Sequence, residues 1–78
     1  MSPYLRAITA RQLVSALGRD GWIWDHSDGS HRFYRKGPRV VPVPYHHPGA
    51  TFPPKTLARI IAGTGWTDDD LRRLRLLK

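Results

Sequence analysis

The chain has 78 residues, no cysteine, and a formal net charge of +7 with a pI near 10.9. That length supplies one modest core, so residues 1–78 read as a single domain. The lack of thiols excludes disulfides and thiolate metal sites, and no apolar run approaches the roughly 18 residues of a membrane span. The basic excess predicts a polyanionic partner: nucleic acid first, an acidic protein second, and a membrane surface least, because no single helix joins a basic face to a large apolar one. Arginine supplies most of the cations, a bias that a GC-rich genome also produces.

In chain order, the N-terminal "MSPYLRAITARQ" has no continuous apolar core of the secretory kind, so the expected location is cytoplasmic. "ITARQLVSALGRDG" predicts a helix over 8–21. Thr9 caps it, Gln12 completes a capping box, Leu13, Val14 and Leu17 share a face, and Gly18 or Gly21 ends it. "WIWDHS" and "HRFYRK" predict two aromatic-rich strands over 22–27 and 31–36, joined at Asp28-Gly29. The simplest register sets Ser27 opposite Ser30, His26 opposite His31, Asp25 opposite Arg32 and Trp24 opposite Phe33. His31 and Phe33 then share one face and Tyr34 takes the other. A bulge at Gly29 would shift this pairing. "RVVPV", 39–43, predicts a third strand at an edge, because Pro42 cannot donate to a ladder. "PYHHPGATFPP", 44–54, is a proline-rich loop. "KTLARIIAG", 55–63, predicts a helix with Pro54 in its first turn, Leu57, Ile60 and Ile61 on its apolar face, and Gly63 or Gly65 at its end. "TDDDLRRLRLLK", 67–78, predicts a short final helix capped by Thr67, with acids at its positive end and bases at its negative end. The fold class is α+β: a three-stranded antiparallel sheet with helices on one face and the other face open.

His31 is the leading candidate for chemistry. An imidazole takes up and returns a proton near neutral pH. RNA carries its own nucleophile in the 2′-hydroxyl. A ribonuclease therefore needs a base for that hydroxyl, cations for the phosphate and an acid for the leaving oxygen. His31 beside Arg32, Arg35 and Lys36 matches those needs; the plainer reading is a polar residue on a solvated strand. Ser30 can orient a phosphate or simply occupy a polar hairpin position. His46 and His47 point apart on an extended segment and make a poor chelate; one of them can be a second acid/base or a phosphate contact, or both are solvated. His26 can tune or replace His31 if it lies across the hairpin. Asp68, Asp69 and Asp70 are consecutive and do not converge on one ion, so no metal site and no cofactor are expected. Trp22, Trp24, Phe33 and Tyr34 can stack bases, but a core this small claims most of them and leaves one for the outer face.

Taken in order, "LVSALGRDGW", Gly29-Ser30-His31, "VPVPYHH" and "PPKTLARIIAGTGWTDDDL" resemble the HicA toxins, over about residues 9–72. The resemblance implies an α-β-β-β-α fold like the double-stranded RNA-binding domain. It implies a type II toxin that cleaves mRNA endonucleolytically without a metal, with His31 as the catalytic histidine. It also implies a HicB-type antitoxin, through which alone DNA would be contacted. Lys55, at the second helix start, joins Arg32, Arg35 and Lys36 as RNA-binding cations. Three features depart from the family pattern. Lys55-Thr56-Leu57 stands where Gly-Thr-Leu is common at the second helix start. Ser27-Asp28 stands where a basic or polar pair usually precedes Gly-Ser-His, and Asp28 repels phosphate. "MSPYLRA" extends beyond the usual start.

Three functions remain open on this reading: a ribonuclease toxin, a non-catalytic RNA-binding module of the same fold, and a protein-interaction domain whose charge matches an acidic partner. Cleavage of RNA by purified protein separates the first from the second. Capture of one neighbouring-gene product without RNA identifies the third, which is compatible with the first.

Overall fold

The computed structural model describes residues 8–77, so the N-terminal extension and Lys78 lie outside the described residues. Thr9 starts the first helix as its sequence predicts. Its hydroxyl accepts the Gln12 N–H at 3.2 Å, and the Gln12 side chain accepts the Thr9 N–H at 2.8 Å. The elements that follow are α1 (Ala10–Arg19), β1 (Ile23–Asp28), β2 (His31–Lys36), β3 (Arg39–Pro44), α2 (Pro54–Thr64) and α3 (Asp68–Arg73). This is the expected α+β arrangement, like that of the double-stranded RNA-binding domain, with an added helix. Gly21 follows the end of α1, while Gly18 lies inside it. Gly65 terminates α2, and Gly63 remains helical. Gly63 has a packing reason: a Cβ there would meet Val41 Cγ1 at 2.9 Å, so its absence lets α2 lie close against β3.

The sheet order is β1-β2-β3, fully antiparallel, which puts Pro42 on an edge strand as expected. The hairpin register differs from the simplest one. Asp28 pairs with His31, Ser27 with Arg32 and His26 with Phe33. The two turn residues are therefore Gly29-Ser30, not Asp28-Gly29. The reason is conformational. Gly29 takes a φ of 59° at the first central position, the one place where a primed turn with glycine first requires it, and Asp28 keeps ordinary strand geometry. Moving the turn by one residue changes the partners of His26, Ser27 and Asp28 by two, so these side chains keep their expected faces.

A bulge does occur, at Asp25 rather than Gly29. It sets Trp24 opposite Tyr34, not Phe33, and so turns Trp24 to the helix-facing side. Of the four sheet aromatics, only Trp22 and Tyr34 are core; Phe33 lies half-buried on the open face and Trp24 is 52% exposed.

The core lies between the sheet and the helices. Leu13 and Leu17 from α1, Val41 and Val43 from β3, and Leu57 from α2 are fully buried. Val14, expected beside Leu13, only borders this cluster. At the C-terminus, α3 is shorter than its sequence suggests. Arg75 adopts a φ of 64°, the Leu76 N–H reaches the Leu71 carbonyl at 2.8 Å, and the Arg75 N–H reaches that of Arg72 at 3.0 Å. This Schellman arrangement folds Leu76 back against Leu71 and places an arginine where glycine is usual.

One polar residue joins these layers. Asp20, in the turn after α1, accepts from the indole N–H of Trp66 at 2.8 Å and of Trp22 at 3.2 Å. It also pairs with Arg73 at 2.9 Å and Lys36 at 3.3 Å. Burial alone would raise its pKa, but Trp66, Arg73, Lys36 and Trp22 together bring it down to about 2. The three consecutive acids serve the start of α3. Asp70 accepts the Thr67 N–H at 2.9 Å and pairs with Arg73, and Asp69 pairs with Arg72.

Candidate functional site

Strand alternation divides the candidate residues between two surfaces. His31, Phe33 and Arg35 of β2 face the open side of the sheet. Asp28 and His26 flank them from β1, and Pro44, Pro42 and Val40 from β3. Arg32, Tyr34 and Lys36 face the helices. His31 is exposed at the first position of the central strand, directly after the Gly29-Ser30 turn. Its strand partners are Asp28 and Pro44.

His26 is not opposite His31. It is a diagonal neighbour on the same face, and its own partner is Phe33. The two rings stack with centroids 4.5 Å apart and planes within 4°. The His26 Nδ1–H donates to Asp25 at 2.8 Å, and the Arg35 Nε–H reaches the other carboxylate oxygen at 3.4 Å. His26 first, and Arg35 after it, hold the Asp25 carboxyl below the usual range.

Adjacency in sequence overstates the cationic surroundings of His31. Arg35 shares its face but lies four residues along, about 13 Å away, and is paired with Asp25. Lys36 is on the other face, paired with Asp20. Arg32 also faces away, between the rings of Trp24 and Tyr45, with its guanidinium carbon 4.0 and 3.8 Å from their centroids. Lys55 is exposed in the first turn of α2.

The hairpin tip is fastened to the following loop. The Ser30 carbonyl accepts the Tyr45 N–H at 2.7 Å, which extends the β2–β3 pairing by one step. Further along, the Pro48 and Ala50 carbonyls accept the Arg11 and Ala10 N–H groups at 3.0 and 2.8 Å. Those are first-turn donors of α1, which have no partner within their own helix. The exposed His46 and His47 therefore sit on a segment held at both ends, beside Ser30. Ser30 itself is half-buried. Among the described residues, no group of three or more His, Cys, Asp and Glu side chains is placed to hold a metal ion. No described helix is long and apolar enough to cross a membrane.

The arrangement presents one accessible imidazole at a strand start, a serine in the adjacent turn, a ring stack on the same face, and a separate arginine stack on the other. Two parts of it carry no signal in the linear sequence. The Arg32 stack depends on the bulge at Asp25, and the placing of Asp28 opposite His31 depends on the turn.

The family model described as HicA toxin of bacterial toxin-antitoxin matches residues 10–66. No curated protein matches the chain.

Proposed function

Because the chain belongs to the HicA toxin family of bacterial toxin–antitoxin pairs, we propose that it is an endoribonuclease that cleaves mRNA with His31 as its proton-transfer residue. The observation that carries this is the position of His31, exposed on the open sheet face within the Gly-Ser-His element. In the proposed step, His31 takes the proton of a ribose 2′-hydroxyl. The oxygen forms a bond to the adjacent phosphorus, the bond to the 5′-oxygen breaks, and that oxygen takes a proton from an acid. The products are a 2′,3′-cyclic phosphate and a 5′-hydroxyl. A positioned base of this kind contributes about 10² to 10⁴ in rate. Ser30 orients the phosphate, His46 on its fastened loop or His26 beside Phe33 supplies the second proton, and Arg32, Arg35, Lys36 and Lys55 attract and hold the polyanion. No metal or cofactor takes part. The antitoxin is of the HicB type and covers the open face, DNA is reached only through that complex, and the pair acts in the cytoplasm.

The test is incubation of purified protein with RNA, with and without chelator. Cleavage is expected in both, and is expected to stop when the 2′-hydroxyl is replaced by hydrogen. His31→Ala is expected to lower cleavage by at least 10²-fold with an unchanged circular dichroism spectrum. An H31A protein that cuts like the wild type refutes the assignment. One observation favours a non-catalytic RNA-binding module instead: a carboxylate, Asp28, rather than a cation stands opposite His31. RNA that is bound but left intact, equally by wild type and H31A, identifies that function.

A further inference from the structure

We propose that Trp24, Arg32 and Tyr45 form a preorganised phosphate anchor, on the opposite side of the sheet from His31, that binds single-stranded RNA one nucleotide step from the scissile bond. The inference rests on the RNA-cleaving reading above and adds to it a second point of attachment and two positioning residues, Trp24 and Tyr45.

The observation is a guanidinium held between two rings, 4.0 Å from the Trp24 centroid and 3.8 Å from that of Tyr45. Contact with both rings restrains the group, and Arg32 remains half-buried rather than sealed in the core. The guanidinium edge carries the N–H donors, in a fork that matches two phosphate oxygens. Arg35, Lys36, Arg72 and Arg73 each have an aspartate partner. Among the described residues, Arg32 has none. A side chain of this length in solution samples many rotamers, and ordering it on binding weakens the contact. The two rings impose that order beforehand.

The surroundings place the stack at the surface. Trp24 is 52% exposed, and the stack lies at the hairpin end of the helix-facing side. Each ring has a backbone reason to be there. The bulge at Asp25 turns Trp24 to this side. The Tyr45 N–H, bonded to the Ser30 carbonyl at 2.7 Å, extends β3 far enough for its ring to reach Arg32. The Trp24 indole N–H is fixed in turn by the Ser27 hydroxyl at 3.0 Å. His31 and Arg32 are consecutive, so their side chains leave the same end of β2 in opposite directions. A polynucleotide passing over that end meets the imidazole on one side and the guanidinium on the other. A single strand can bend around such an end, whereas an A-form duplex presents its phosphates on a stiff cylinder. The phosphate at Arg32 is then a neighbour of the one attacked at His31. This gives Arg32 a use despite its facing away from the reaction.

The test measures binding of a fluorescent single-stranded oligonucleotide, 2′-O-methylated throughout so that it cannot be cut, across a series of salt concentrations. Wild-type protein is expected to bind with a log–log salt slope that counts its phosphate contacts. Arg32→Gln is expected to lower that slope by about 0.7, the contribution of one phosphate on a single strand. Trp24→Leu and Tyr45→Leu are expected to weaken binding by about 3- to 10-fold without changing the slope, since the charge remains and only its order is lost. Tyr45→Phe keeps the ring and is expected to bind as the wild type. Should Arg32→Gln fail to fold, Arg32→Lys replaces it: weaker binding at an unchanged slope supports the anchor, and wild-type affinity overturns it. Wild-type slope and affinity in Arg32→Gln overturn the anchor and leave the nuclease reading intact. Wild-type affinity in both leucine variants overturns the role of the rings. A wild-type protein that does not bind the oligonucleotide at all removes the RNA reading and the anchor together.

Discussion

Replacing Asp20 by Asn removes one charge from the junction of α1, β1, β2 and α3. The folded carboxyl has a pKa of about 2 against 3.8 in an unconstrained chain. The folded state therefore favours the ionised form, and the difference corresponds to about 2 kcal/mol at neutral pH. Asp20 is 13% exposed, so solvent screening removes little of this. The sign follows from the direction of the shift. A depressed carboxyl stabilises the fold above its unfolded pKa of 3.8 and loses that contribution as pH falls through about 2. About half remains at pH 3. Asparagine can still accept from an indole N–H but cannot pair with Arg73 or Lys36. Asp20→Asn is therefore expected to cost about 2 kcal/mol at pH 7, a shift of roughly 8–16 °C in Tm for a domain of this size. Urea denaturation of both proteins between pH 7 and pH 3 measures it. The two stabilities are expected to converge as pH falls. A difference that stays constant over that range, or one below about 0.5 kcal/mol at pH 7, refutes the linkage argument.

Two further substitutions test separate parts of the molecule. Asp28→Asn deletes the carboxylate opposite His31; it is expected to tighten RNA binding by about 2- to 10-fold and to raise cleavage at low substrate, because one repulsive charge leaves the phosphate path. Slower turnover in Asp28→Asn would show instead that the carboxylate orients the imidazole. Arg75→Gly relieves a left-handed residue at φ 64°; it is expected to stabilise the fold by about 1 kcal/mol in denaturant titration, against the usual entropic penalty of glycine, and a loss of stability would mean that the arginine side chain compensates for the strain.

The local chemistry of the helices was legible because it is encoded within a few residues. Thr9 with Gln12 closes a capping box, Thr67 caps α3, and the apolar spacing of Leu57, Ile60 and Ile61 identifies the buried side of α2. That His31 shares a face with Phe33 and not with Tyr34 was legible too, because side chains alternate along a strand; which side of the sheet that face takes was open, because one residue of register reverses it. The ordered set of elements that includes Gly-Ser-His likewise pointed to the family whose model matches residues 10–66.

The partners of these residues were not legible, and the reason is the same in each case. Which of Asp28-Gly29 or Gly29-Ser30 forms the turn depends on a small difference between competing backbone conformations, since both pairs contain the glycine that a primed turn needs. The bulge at Asp25 leaves no mark in the composition of β1, yet it carries Trp24 across the sheet to Arg32. Asp20 gathers donors from Trp22, Lys36, Trp66 and Arg73, residues that only the packed layers bring to one point. By itself the sequence determined the elements, their apolar faces and the grouping of His31 with Phe33 on one face of their strand, because those follow from the local periods of helix and strand. Tertiary structure alone decided which charges His31 has for neighbours and which cation stands free between two rings, because pairing across strands and layers is a balance of long-range contacts that no short stretch contains.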